Sequence, residues 1–576
     1  MTPWRMQYGA TPLPDGGVQI RVWAPNVRTL AVNLAGTVVP MSRDGEDFHV
    51  LVPHAGPGQR YTLVLDDSRE RPDPVSRSQP LGVHGPSEII DPEAFHWTDH
   101  SWKGLDLEQY ILYELHTGTF TPEGTFEGVL AKIPYLKELG ITAIELMPVA
   151  EFSGRRNWGY DGVDLFAPQS SYGGPDALKK LVNACHNAGL AVVLDVVYNH
   201  VGPEGNYLGE FGPYFTEHYR SAWGQAVNFD GPGSDAVRQF FIDNALYWLT
   251  EYHIDALRLD AIHGIYDLGA THLLAELSDR FHQQAALLGR KAWLIAESDL
   301  NDVRVVQPRS SGGYGLDAQW NDEFHHALIS YLTAAKRGFL GDFGKLADVQ
   351  KALTDGFVYD GIFSPHRRRR FGSSSKDLPG DKFVVFLQNH DQIANTNQGS
   401  RLSQLVSPDL LQVAVALLLC SPYVPLLFMG EELADTAPFL YFTSHLDTSL
   451  AKLVTEGRRR EYGEFEVSAE FFDPQAIETF DKSKISWSVP DNEILAFYRR
   501  LIALRKTWPC LSNCRKDLTR VEIDEEKQVL RMERSDPGGT RALLICNFGS
   551  QPTLLDGANG QIALQTTRAV LFLGRE

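Results

Sequence analysis

The chain runs to 576 residues, too long for one ordinary domain, and its 43% hydrophobic content supplies a sizeable core. A formal net charge of −20 disfavours nucleic acid or an anionic membrane as partner, whereas a neutral, polyhydroxylated ligand suffers no such penalty. The five cysteines show no disulfide framework; Cys510 and Cys514 could meet on a helical turn, but no nearby His or second Cys pair completes a zinc site, so no metal is expected.

The N-terminal stretch MTPWRMQYGATPLPDGG lacks the apolar core of a signal peptide, which points to the cytoplasm. Short strands follow at Val18 to Trp23, Ala31 to Leu34, His49 to Val52 and Tyr61 to Leu65, with PDGG, RDGED and HAGPG as turns. That spacing predicts a small β-sandwich over residues 1–92, whose Pro-rich end from Arg71 to Pro92 is a linker lying over the next domain. From about Tyr110 strands and helices alternate. Strands are expected at Ile111 to Leu115, Ala143 to Leu146, Ala191 to Val196, Asp255 to Leu259, Ala292 to Ala296, near Leu316, at Phe383 to Leu387 and at Pro425 to Phe428. Helices between them include one from Val129 to Leu139, Pro175 to Ala188 and Asp235 to Tyr252. Such alternation implies parallel strands with crossover helices, and eight of them can close a barrel over residues 93–510. Leu410 to Met429 is uncharged and nearly long enough to span a membrane, but Pro422 and Pro425 divide it into a buried helix ending near Cys420 and the last barrel strand. Helix Glu493 to Arg505 finishes the barrel; strands at Val529 to Arg534, Ala542 to Asn547 and Ala569 to Leu573 then form a C-terminal β-domain over residues 511–576.

Three carboxylates, Asp260, Glu297 and Asp391, each stand just beyond an apolar run, DALRL, AWLIA and FVVFL respectively. In a parallel barrel the loops after the strands' C-terminal ends build the active site, so these acids converge, as cleavage of a glycosidic bond requires. Asp195 to His200 reads DVVYNH, in which Asn199 and His200 suit hydrogen bonding to sugar hydroxyls; the plainer reading is loop capping by Asp195 and Asn199. Arg258 and Asp260 lie two apart on one side of a strand, so the guanidinium either holds a nucleophilic carboxylate ionised or makes an internal ion pair. An apolar wall beside Glu297 would raise its pKa, the tuning that a proton donor needs.

DVVYNH, ALRLDAIH, LIAES and FLQNHDQ resemble the four signature regions of the α-amylase superfamily of glycoside hydrolases, and the resemblance covers nearly the whole chain. It implies an α/β fold, a (β/α)8 TIM barrel with an N-terminal β-sandwich and a C-terminal β-sandwich domain. It also implies roles: Asp260 as nucleophile, Glu297 as general acid and base, and Asp391 as the group that holds sugar hydroxyls and stabilises an oxocarbenium-like transition state. Arg258, His200 and His390 would surround the sugar, with Tyr160 of NWGYD stacked beneath it. Trp158 and Trp223 are read either as sugar platforms or as packing, and Arg367 to Arg370 either as a solvated loop or as a contact to substrate hydroxyls.

Within the superfamily, YELHTGTF from Tyr113, DAIHGIYD from Asp260 and IAESDLND from Ile295 are most similar to the branch that hydrolyses maltooligosyltrehalose beside its terminal trehalose. Where many amylases carry Lys and then His after the nucleophile, this chain has His263 and Gly264. His263 and Asp299 are therefore the residues expected on the leaving-group side. The resemblance implies maltooligosyltrehalose or a related α-glucan as substrate, a retaining mechanism without organic cofactor, and a monomer. A glycogen branching enzyme, which shares the sandwich, and a catalytically silent glucan-binding protein are the competing readings.

Overall fold

Period-two alternation organises the N-terminal strands: on Val18–Trp23 the residues Val18, Ile20 and Val22 are buried while Gln19 is exposed. Two antiparallel sheets result. One joins Gly9–Pro12, Val18–Trp23, Asp47–Val52 and Ser42–Asp44; the other joins Thr37–Pro40, Leu30–Leu34, Arg60–Leu65 and Arg69–Arg71, with Ser87–Glu88 added along Arg60–Leu65. Ile20 and Phe48 from the first and Val32 and Leu63 from the second share one core. This computed structural model describes residues 3–221, 224–335, 338–464, 471–488, 492–549 and 560–575.

The Pro-rich stretch after the sheets is pinned down by buried polar groups. Asp73 accepts from the Tyr61 hydroxyl at 2.8 Å, and Arg77 reaches Glu251 of the following α/β region at 3.1 Å.

Eight parallel strands close a barrel: β1 (Leu112–Leu115), β2 (Ala143–Leu146), β3 (Ala191–Val196), β4 (Ala256–Leu259), β5 (Trp293–Ala296), β6 (Ala318–Trp320), β7 (Phe383–Phe386) and β8 (Val424–Phe428), the last pairing with the first. Each strand is buried on both faces, which is why they read as unbroken apolar runs. The stretch expected near Leu316 begins instead at Ala318; β6 has only three residues, one of them the polar Gln319, so its pattern is faint. The helical spacing from Val129 to Leu139 divides into Phe126–Ala131 and Ile133–Leu139, because Pro134 has no N–H to continue the ladder across Lys132. The uncharged stretch becomes helix Pro408–Cys420, capped by the Ser407 side chain, and then β8. No helix of the described residues is long and apolar enough to cross a membrane.

At the C-terminus a five-stranded antiparallel sheet runs in the order Thr519–Asp524, Val529–Ser535, Thr540–Asn547, Ala569–Arg575 and Gln561–Gln565. Helix Pro408–Cys420 and the short helix Pro509–Ser512 lie against it.

Candidate active site

The register of the barrel assembles the site's charge centre. Asp195 on β3 is paired with Arg258 on β4, so the carboxylate and the guanidinium meet in the barrel mouth. Arg258 is fully buried and donates through Nη1 to Asp195 at 2.9 and 3.0 Å and to Asp260 Oδ1 at 2.6 Å, while its Nη2 lies 3.8 Å from Glu297 Oε2. The guanidinium also lies over the Trp320 ring, 4.3 Å from its centroid. One cation thus reaches three carboxyl groups. Asn199 completes the hold on Asp260, donating to Oδ2 at 2.8 Å, so each oxygen of that carboxylate accepts a hydrogen bond from a fixed donor.

The turn after Asp260 joins it to Glu297. Ala261 takes a left-handed backbone, φ +39°, costly for a residue with a Cβ, and its N–H donates to Glu297 Oε2 at 2.6 Å. Ile262 N–H donates to the Glu297 carbonyl at 3.0 Å. Burial above all raises the Glu297 pKa, with the charges of Asp260 and Asp391 adding to it and Arg258 and His263 opposing, so the carboxyl is set to keep its proton.

Asp391 belongs to the short helix His390–Ala394, whose cap Asn389 accepts from Gln392 N–H at 2.8 Å; its side chain is about half exposed and stands open to ligand. His390 Nδ1 meets Glu114 Oε1 of β1 at 2.5 Å, and its Nε2 lies 2.9 Å from the Tyr160 hydroxyl. Burial works against a charge on His390, but Asp391 and Glu114 outweigh it and raise the pKa to about 9. Tyr160 stacks on His390 at 5.2 Å and donates its hydroxyl to Asp195 at 2.7 Å, so a continuous chain runs from His390 through Tyr160 to Asp195 and Arg258. His200 is buried with Nδ1 2.6 Å from Asn199 Oδ1 and Nε2 3.0 Å from the Tyr160 carbonyl, and burial lowers its pKa.

The remaining expected residues divide. Trp158 is buried, donates to the Leu440 carbonyl at 2.9 Å, stacks on Phe439 and sets its edge against His390, so its contacts are with protein groups behind the site. His263 stands in the turn Ile262–Gly264, close enough for its charge to bear on Glu297. Asp299 pairs with Arg367 at 3.1 Å, which ties the loop after β5 to the arginine run; Arg367 also lies over Phe371, whereas Arg368, Arg369 and Arg370 are exposed. Trp223 lies outside the described residues. Three groups escaped the sequence reading: Asp195, taken for a loop cap; Glu114, inside β1; and Asp322, directly after β6. The rule that picked out Glu297, an acid just past a barrel strand, also points to Asp322 once β6 is located. Among the described residues no group of three or more His, Cys, Asp or Glu side chains is disposed to hold a metal ion, and the cysteines are not disulfide-bonded.

Residues 89–224 match the family model for the alpha amylase catalytic domain. The chain is 48% identical to the malto-oligosyltrehalose trehalohydrolase of Saccharolobus solfataricus over 503 residues, 87% of either chain. It is 28% identical, over 75% of its own length and 62% of the other's, to the 1,4-alpha-glucan branching enzyme GlgB of Pseudoalteromonas atlantica. Among solved structures, a Salmonella typhimurium protein named as a candidate alpha amylase superposes with a TM-score of 0.92 at 38% identity, covering 99% of this chain and all of that one.

Proposed function

Since the chain belongs to the malto-oligosyltrehalose trehalohydrolases, glycoside hydrolases of the alpha-amylase family, we propose that it cleaves the α-1,4 bond between a malto-oligosaccharide and its terminal trehalose unit, releasing trehalose. The observation that carries the mechanism is the shared guanidinium of Arg258, which brings Asp260 and Glu297 to one point, where burial raises the Glu297 pKa. Asp260 attacks the anomeric carbon as Glu297 delivers its proton to the departing oxygen. Glu297, now a carboxylate, takes a proton from water, and the resulting hydroxide opens the glycosyl ester on Asp260 with overall retention. Asp391 binds the hydroxyls of the reacting sugar, Tyr160 and His390 form its floor, and His263 and Asp299 meet the leaving unit.

Product analysis on maltooligosyltrehalose and on plain malto-oligosaccharide of equal length tests the reading. Trehalose as the main product, with the new reducing end formed as the α-anomer, is expected. New α-1,6 branches on amylose, or an inverted anomer, would contradict it.

A further inference from the structure

The inside of the barrel carries a carboxyl group that the mechanism above does not use. Leu112, Ala143, Val193, Ile295 and Phe386 come from five strands and share one apolar cluster, the packed interior of the barrel. Glu114 stands two residues beyond Leu112 and Glu145 two beyond Ala143, so both point inward near the mouth. In the parallel register the two glutamates are direct partners, on strands about 4.8 Å apart, and both are buried. Glu114 accepts from the His390 ring at 2.5 Å and from the His390 N–H at 3.3 Å; Asp195 on β3 accepts from Arg258 and Tyr160. Neither oxygen of Glu145 meets a donor among the described residues.

Hydrogen bonding fixes the charges around it. The Tyr160 hydroxyl gives its one proton to Asp195, so it can only accept from His390 Nε2, 2.9 Å away, while Nδ1 faces the Glu114 carboxylate. Both ring nitrogens are therefore donors, and the ring is an imidazolium. A buried cation needs an anion beside it. Asp391, 3.5 Å from Nε2, is about half exposed and its charge is screened by water, so the anion that counts lies beneath, in the two glutamates. His116 is no rival cation, because burial lowers its pKa to about 4. Two carboxylates side by side and out of water do not both ionise. Burial above all, and then the charge of Glu114, push the Glu145 pKa well up; Asp195 adds to this, and Arg258 and His390 oppose it. Glu145 is thus the member that holds the proton.

We propose that Glu114 and Glu145 act as one buried pair carrying a single negative charge, which makes Glu145 a positioning residue: it leaves Glu114 as the anion for His390, and ionises in its place when Glu114 cannot. Its part in turnover rests on the reading that His390 and Tyr160 form the floor under the reacting sugar. A glutamic acid that only filled space would show no such exchange.

The test compares Glu145→Gln, Glu114→Gln and the double variant of the full chain, by kcat/KM on maltooligosyltrehalose and by the ring 15N signals of His390, assigned by their loss in His390→Gln. The first variant should lose about twofold in kcat/KM and the second about fivefold, since one anion remains in each. The double should lose about a hundredfold, tenfold beyond the product of the singles, the size of a lost hydrogen bond between charged groups. His390 should stay cationic near pH 7.5 in both singles, as its parent pKa of about 9 implies, and be neutral there in the double. Should Glu114→Gln not fold, infrared difference between the parent and Glu145→Gln at pH 7.5 is expected to show the loss of one protonated-carboxyl C=O band. Single effects that merely multiply, a neutral His390 in Glu114→Gln, or no lost band each overturn the inference. A parent that releases no trehalose overturns the functional reading instead, since the charge on His390 is read without turnover.

Discussion

Arg258 is a cation fully removed from water, and such a charge persists only where partners replace its hydration. Asp195, Asp260 and Glu297 are those partners, so the same ion cluster that stabilises the barrel mouth also positions two reacting groups. Asp260→Asn and Glu297→Gln each remove the chemistry and little volume; both should lose at least about 1000-fold in kcat, roughly 4 kcal/mol of barrel-mouth chemistry, while circular dichroism and Tm stay close to the parent. Near-normal turnover in either purified variant would sink the role assignment. Because Glu297 must hold its proton in the free enzyme, kcat/KM should fall as pH rises through its raised pKa. An alkaline limb at or below the ordinary glutamic acid value of about 4.3 would contradict that. On the leaving-group side, His263→Ala and Asp299→Ala should lower kcat/KM for maltooligosyltrehalose about tenfold more than for plain malto-oligosaccharide, the effect of one discriminating hydrogen bond. For Asp299 the loss includes release of Arg367, so Arg367→Ala is expected to follow it. Equal losses on both substrates would place recognition elsewhere.

At the scale of elements, the end of the barrel opposite the site is held by a buried ion network. His186, in the last turn of helix Gly174–Ala188, lies between Asp99 at 2.7 Å and Asp255 at 2.9 Å, with Trp102 stacked on its ring and donating to Asp255 at 2.7 Å. Burial opposes the histidine's charge, but Asp255 and Asp99 outweigh it and raise its pKa, and a cation at a helix C-terminus is favoured besides. A pKa raised on folding means that the charge-dependent stabilisation is complete below the unfolded value of about 6.5 and is lost as pH rises through the folded one. The Tm gap between the parent and His186→Gln should therefore be wide at about pH 6 and narrower at about pH 9, with a loss of about 3–5 kcal/mol at the lower pH for a broken buried pair. A gap that widens with pH would refute the assignment. The C-terminal sheet is fastened by the same economy of buried cations. Arg534 of strand Val529–Ser535 donates to the carbonyls of Cys420 at 2.9 Å and Ser421 at 2.7 Å, and Arg505 to those of Leu419 and Ser421 at 2.9 Å, so two guanidinium groups cap the negative end of helix Pro408–Cys420.

Across the whole molecule, the N-terminal sheets meet the barrel region through an aromatic contact rather than a tether alone. Trp23 packs edge-on against Tyr214 at 5.3 Å, and Asn26 N–H donates to the Phe211 carbonyl at 3.0 Å. Gly212 sits under the indole with an extended backbone, φ −156°, that any residue can adopt, so the glycine is required for space and not for conformation. A Cβ there would come within 2.6 Å of Trp23 Cζ3 and 2.9 Å of Cη2. Gly212→Ala is expected to cost about 1–3 kcal/mol through overpacking, lowering Tm while leaving kcat on maltooligosyltrehalose unchanged. A variant with unaltered Tm would show that the two parts separate freely at this seam.

Local pattern was enough for much of this protein. Apolar runs such as AVVLDV and FVVF announce strands buried on both faces, and Asp260, Glu297 and Asp391 were legible because each follows its run within a few residues in a motif that carries its own context. The three-residue β6 has too few positions to show a period, and the Asp322 that follows it was passed over with it. The partners of the readable residues were another matter. Asp195 looks like a loop cap until the register of β3 on β4 sets it on Arg258, and Glu114 is an ordinary strand residue until closure of the barrel brings β1 beside the helix of His390. Asp299 and Arg367 are separately unremarkable loop charges that become a pair only when the loop after β5 meets the hairpin Asp360–Gly372 that precedes β7. Sequence periodicity reports which face of an element is buried; which two faces meet across tens or hundreds of residues is decided by strand order and barrel closure, and that is where the charges on these side chains acquire their chemistry.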